Sequence, residues 1–149
     1  MSIFTIYTSI EKYIRIPGRG VFWKANETCE ARNLTMVMPK TQQEYQELAI
    51  FLQSIHIYPD FEIWLGAQLG RDGIFYWLDG TPGHLQSGTV LGEKHSGFNL
   101  TDNKSTYPWN GPKQCLSVHK QHADGTFKFF DRCCSEHLCY IVCQPKGRS

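Results

Sequence analysis

A chain of 149 residues, 41% hydrophobic and 13% aromatic, carries enough apolar side chain to bury a core of its own. Its 15 basic and 14 acidic residues nearly cancel, and no basic run exceeds a pair, so charge points to neither nucleic acid nor an anionic membrane surface as partner. Six cysteines and four N-x-[ST] sequons, at Asn26, Asn33, Asn99 and Asn103, point instead to an oxidising, glycosylating compartment and an extracellular protein.

The opening "MSIFTIYTSI" has neither the basic start nor the long apolar centre of a signal peptide, and is too short to span a bilayer. The expectation is a processed secreted chain, or a piece of a longer secreted or membrane-anchored protein. "IFTIY" and "YIRI" alternate as strands, and "PGRG" reads as the turn after them. "FWKANETCEARN" places Phe22, Ala25 and Cys29 on one helical face. "PKTQQEYQELAIFLQSI" opens with a capping box, Thr41 answered by Glu44, and sets Tyr45, Leu48, Ala49, Leu52 and Ile55 at helical spacing. "FEIWLGAQL" and "GIFYWLDG" read as aromatic-rich strands joined by the turn "GRDG".

From Thr81 to Gln114 runs a stretch rich in Pro, Gly, Ser, Thr and Asn with little periodicity. That is longer than a compact domain leaves irregular unless the loop binds something. "CLSVHK", "TFKFFD" and "LCYIVCQ" read as closing strands, with "HADG" as a hairpin turn. No repeat or linker divides the chain. Two early helices followed by mainly antiparallel strands predict a single α+β domain over residues 1–149, with its core in 13–144 and a long loop at about 81–114.

In this order the elements resemble the C-type lectin-like domain, from Tyr13 to Gln144. Phe22, Ala25 and Cys29 match the family's first helix. Trp64, Leu65, Gly66 and Ala67 match its "WIGL" strand, and Trp77, Asp79 and Gly80, followed by Thr81 and Pro82, match its "W-x-DG" element. The resemblance implies two disulfides, Cys29 with Cys143 and Cys115 with Cys134. In the chain-entropy picture the first is worth roughly 4–5 kcal/mol and the second about 3. Cys133 and Cys139 are left over; a small local pair is the expectation. The alternatives are a free Cys139, or one that bridges to a second chain. Whether Cys133 or Cys134 pairs with Cys115 stays open at this point, although the spacing from Asp131 favours Cys134.

Sugar-binding members of the family hold calcium with an "EPN" or "QPD" tripeptide, a later Glu, and the Asn and Asp of a "WND" strand. The matching positions here are poor in oxygen. "WND" is Phe129, Phe130 and Asp131, and the later Glu is Gln114. The nearest tripeptide candidates put Lys94 beside Glu93, or flank Pro112 with Gly111 and Lys113. Calcium needs about 6–8 oxygen donors, so the expectation is no calcium cofactor in the usual geometry. Asp131 then reads as a strand-end residue that caps the local turn.

His119 and His122, near Asp124, form an H-x-x-H whose side chains need not converge on a strand-to-turn segment. No nucleophile elbow, phosphate loop or dinucleotide fingerprint is present, and the disulfides consume most cysteines, so no enzyme is expected. Phe98, Tyr107 and Trp109 lie among polar loop residues, where aromatic rings favour interfaces and stack on sugars. The reading is an extracellular recognition module, secreted or part of an ectodomain, binding a protein or glycan ligand independently of calcium. Its candidate contacts are Glu93, His95, Tyr107, Trp109, Asn110 and Lys113. The alternative is a calcium-dependent lectin with a rearranged metal site at Glu93, Asp102 and Asp131. A third reading is a structural or inhibitory member whose loop packs on itself. A dimer, disulfide-linked or not, is possible; insertion of this domain into a membrane is not expected.

Overall fold

The computed structural model describes residues 12–55, 61–70, 74–83, 90–91, 98–99, 104–105, 114–120 and 127–147. The first described strand, β1 (Ile14–Gly20), runs straight through the segment expected to turn. Its pairing with the last strand, β10 (Cys139–Pro145), slips between Ile16 and Arg19 and then resumes. The slip is a bulge. Pro17 has no N–H to give the ladder and Gly18 sits at φ +93°, so the two residues loop out of register without ending the strand.

Helix α1 (Phe22–Ala31) buries Phe22, Ala25 and Cys29, as the spacing predicts. It ends at Asn33, whose φ of 59° and N–H bond to the Glu30 carbonyl form a left-handed C-terminal cap. The short β2 (Leu34–Met36) follows and pairs with β10. Helix α2 (Gln42–Gln53) starts at Thr41, whose Oγ1 accepts the Glu44 N–H at 3.1 Å. Glu44 reaches back one residue further than a reciprocal box requires, accepting the Lys40 N–H at 3.2 Å.

The remaining strands are β3 (Glu62–Leu69), β4 (Phe75–Trp77), β5 (Val90–Leu91), β6 (Phe98–Asn99), β7 (Lys104–Ser105), β8 (Gln114–Lys120) and β9 (Phe127–Cys133). The main sheet runs β1-β10-β3-β8-β9-β5, with β2 on β10 and β4 on β3. It is mixed: β10 runs parallel to β3, and β5 parallel to β9. A separate ribbon pairs β6 with β7. Among the described residues no helix is long and apolar enough to cross a membrane.

Strand β3 is buried on both faces, which explains its near-continuous apolar run. Ile63, Leu65 and Ala67 join the core that also holds Leu48 and Leu52 of α2. Trp64 joins a second core with Phe22, Ala25 and the disulfides. Its ring meets Phe22 edge-on at 5.5 Å, and its Nε1 donates to the Gly20 carbonyl at 2.8 Å. Gly66 lets three strands of chain converge: its N–H bonds the Val37 carbonyl and its carbonyl accepts the Leu78 N–H. A Cβ there would meet Met38, Met36 and Leu78 at 3.1–3.3 Å.

Both disulfides implied by the family resemblance are present, Cys29–Cys143 and Cys115–Cys134. The expected Cys133–Cys139 pair is not formed; both residues are thiols. Cys139 opens β10 opposite Gly20, fully buried in the second core. Cys133 closes β9 half-exposed, its Sγ 3.8 Å from Ser135 Oγ. Adjacent cysteines cannot both face inward, and Cys134 has taken the inward place.

Candidate functional site

The long loop leaves the domain at a pinned exit. Asp79 Oδ1 accepts from the Thr81 N–H at 3.0 Å and from Thr81 Oγ1 at 2.7 Å, and the carboxylate pairs with Lys40. The hydrogen bonds from Lys40 and Thr81 outweigh the small cost of burial and hold the Asp79 carboxyl down at about 2. Gly80 follows at φ +91°, and the Trp77 N–H returns to the Thr81 carbonyl at 2.9 Å. Gly83 then packs on the Phe75 ring so closely that a Cβ would stand 1.9 Å from it, while its N–H bonds the Phe75 carbonyl. The loop's return is Gln114, buried at the start of β8 opposite Cys133. Between these ends β5 lies along Lys128 and Phe129 of β9, and the β6–β7 ribbon carries the sequon Asn99.

Glu93, His95, Asp102, Tyr107, Trp109, Asn110 and Lys113 lie outside the described residues, as does His122. Asp131 is described. It sits within β9 rather than at a strand end, opposite Leu116 and only 2% exposed, because β9 continues to Cys133. Its expected role as a turn cap is therefore corrected: it is a buried mid-strand carboxyl. The two residues before it are committed to packing. Phe129 meets Tyr45 of α2 edge-on at 5.6 Å. Phe130, 6% exposed, lies under the Arg132 guanidinium at 4.2 Å. Burial against Phe129 and its neighbours pushes the Tyr45 hydroxyl far above its ordinary value. Phe130 contributes a ring and no oxygen where the family's calcium strand carries Asn, so the residues present do not fit the usual calcium centre.

A second polar cluster was not legible in the sequence. Glu62 opens β3, and on the sheet face it shares with Trp64 its carboxylate collects four contacts. Arg132 Nε donates to Oε2 at 2.8 Å and Nη2 to Oε1 at 3.4 Å. Ser117 Oγ donates to Oε2 at 2.5 Å, and His137 Nε2 lies 3.1 Å from Oε1. Burial alone would raise the Glu62 carboxyl, but the hydrogen bonds from Arg132 and Ser117 and the charges of Arg132 and His137 hold it below its ordinary value. The Cys139 thiol lies against the same group; burial pushes it well up, and the Glu62 charge adds to that. The one signal in the sequence is a carboxylate at the head of an otherwise apolar strand.

A further cleft of about 390 Å³ lies between α1 and the β4 turn, lined by Asn26, Glu30, Leu78, Asp79 and Lys146 among others. Lys146 and Glu30 pair across it at 2.8 Å.

The sequence profile of the lectin C-type domain matches residues 19–145. No curated protein sequence matches the chain. Among solved structures it is similar to TC14, a C-type lectin from the tunicate Polyandrocarpa misakiensis, at 16% identity and TM-score 0.59, covering 91% of this chain and 98% of that one. It is similar to human lithostathine at 23% identity and TM-score 0.62, covering 91% and 83%. It is also similar to SPL-2 from Saxidomus purpuratus, described as a Ca2+-independent C-type lectin, at 14% identity and TM-score 0.61, covering 92% and 87%. At these identities the structures speak to the fold. The profile spans far more than half of the chain and includes the first helix and the Trp64–Ala67 and Trp77–Gly80 elements: the chain belongs to the lectin C-type domain family.

Proposed function

We propose that the chain is an extracellular recognition domain, secreted or carried on an ectodomain, that binds a glycan or protein ligand through its long loop without the family's usual calcium centre. The observation that carries the reading is Phe130. A buried phenyl ring stacked under Arg132 holds the position of a metal ligand, and moving it outward would expose the ring and break that stack. The structure similar to this one that is described as a Ca2+-independent C-type lectin supports the compatibility of the fold with such binding. The loop's two ends are held by Asp79, Gly83 and Gln114, which fixes where it leaves and rejoins the domain. Glu93, His95, Tyr107, Trp109, Asn110 and Lys113 supply aromatic, amide and charged groups suited to stacking on sugar rings or anchoring a protein contact.

The domain acts by binding and not by catalysis. Cys139, His137 and Glu62 superficially resemble a thiol triad, yet the thiol is fully buried and held protonated, the opposite of an activated nucleophile. A second reading, a calcium lectin with a rearranged site at Glu93, Asp102 and Asp131, draws on the buried carboxyl of Asp131. Thermal melts and a glycan-array screen, each with calcium and with chelator, separate the two. Ligand binding indifferent to chelator and a Tm that added calcium does not raise are expected. A calcium-raised Tm together with chelator-sensitive sugar binding would overturn the leading reading in favour of the second.

A further inference from the structure

We propose that Glu62, His137 and Cys139 form a zinc site at the junction of β3 and β10, apart from the long loop. One ligand atom from each of the three side chains lies within 4.8 Å of the other two, and His137 Nε2 already stands 3.1 Å from Glu62 Oε1. Zinc bonds of about 2.0–2.2 Å to nitrogen and oxygen and about 2.3 Å to sulfur place tetrahedral ligands roughly 3.3–3.7 Å apart. A contraction of about 1 Å at the widest separation closes the site. The donor set is thiolate, imidazole and carboxylate, which suits zinc and is foreign to calcium, a cation that takes oxygen alone.

The surroundings are built for one geometry. Glu62 Oε2 is occupied by Arg132 Nε and Ser117 Oγ, which fix the carboxylate plane and leave Oε1 towards His137. At Oε1 a metal would replace the His137 Nε2 contact at 3.1 Å and the weak Arg132 Nη2 contact at 3.4 Å. His137 is placed by its backbone N–H, which bonds the Cys133 carbonyl at 3.1 Å, and by its ring's edge-on contact with Trp64, centroids 6.1 Å apart. Cys139 is placed by the β1–β10 ladder opposite Gly20. On binding, the Cys139 thiol gives its proton to solvent as the sulfur–zinc bond forms, with no change of oxidation state. Three protein donors leave the fourth position to water, on the side where the His137 side chain is 33% exposed. The metal would tie the turn before β10 to the head of β3, two segments far apart in sequence.

The test uses the disulfide-intact protein, stripped with chelator and titrated with zinc chloride, with cobalt chloride as a spectroscopic probe. One bound equivalent of zinc, a Tm raised by zinc and not by calcium, and a thiolate-to-cobalt charge-transfer band are expected. His137→Ala, on a partly exposed side chain, should weaken zinc binding at least tenfold. Cys139→Ala should abolish the cobalt band, and Cys133→Ser should leave both unchanged. If Cys139→Ala does not fold, the His137→Ala titration and the cobalt band of the parent protein decide. The site is overturned by any of three results: no stoichiometric zinc, zinc binding undiminished in His137→Ala, or peptide mapping that finds Cys133 and Cys139 joined in the native protein. Failure here leaves the long-loop reading intact, because the two share no ligand residue and that reading is tested by calcium and glycan binding, not by zinc.

Discussion

Arg132 at the end of β9 reaches across β8 to Glu62 at the head of β3, its Nε 2.8 Å from Oε2, while its guanidinium lies over Phe130. One side chain thus neutralises a half-buried carboxylate and covers the ring that stands where a calcium ligand would be. Arg132→Met, measured by urea unfolding in chelator, is expected to cost about 3 kcal/mol. That is the low end for breaking a buried pair, because both partners keep some exposure. The double variant Glu62→Gln, Arg132→Met should be less destabilised than the sum of the two singles, since no charge is then stranded.

Phe130→Asn restores the family's ligand type at that position but should not restore a calcium response. Gln114 remains an amide in place of the expected carboxylate, and the loop still lacks the tripeptide. The expected result is a loss of about 3–4 kcal/mol from removing a buried ring, with no calcium-dependent rise in Tm in calorimetry. A clear calcium-raised Tm would show that the missing oxygen at this position was the sole defect.

Gly66→Ala is expected to destabilise the domain by about 1–3 kcal/mol, read from the shift in chemical denaturation midpoint. The added methyl meets Met38, Met36 and Leu78 at 3.1–3.3 Å, and the hydrogen bonds to Val37 and Leu78 prevent the strand from backing away. Ala67 next to it already carries a methyl and points into the other face of the packing.

Asp79 predicts the acid limb of stability. Its folded pKa of about 2 lies below the ordinary 3.8, so the stabilisation it lends is full above about pH 4 and is lost as pH falls towards 2. With the side chain 40% exposed the effect is small and salt-sensitive. Asp79→Asn should lower Tm at neutral pH and flatten the fall between pH 4 and 2, as followed by calorimetry across that range.

Periodicity alone located much of the fold. Phe22, Ala25 and Cys29 recur on a helical period, and Thr41 with Glu44 marks a helix start, because these are local preferences that neighbours in sequence decide. The aromatic and β-branched run from Ile63 to Ala67 likewise announced a strand, and the order of motifs led to the family and its two disulfides. The sequence also showed that Phe129 and Phe130 bring no oxygen, a matter of residue type that needs no coordinates. Tertiary structure decided the rest. Pro17 and Gly18 became a bulge instead of a turn because β10 arrives to pair with both sides of them. Cys139 stayed a thiol because its place opposite Gly20 turns it inward, away from half-exposed Cys133. Glu62, Ser117, Arg132, His137 and Cys139 meet only because β3, β8, β9 and β10 are brought side by side, and no local pattern encodes a contact between residues 55 to 77 positions apart.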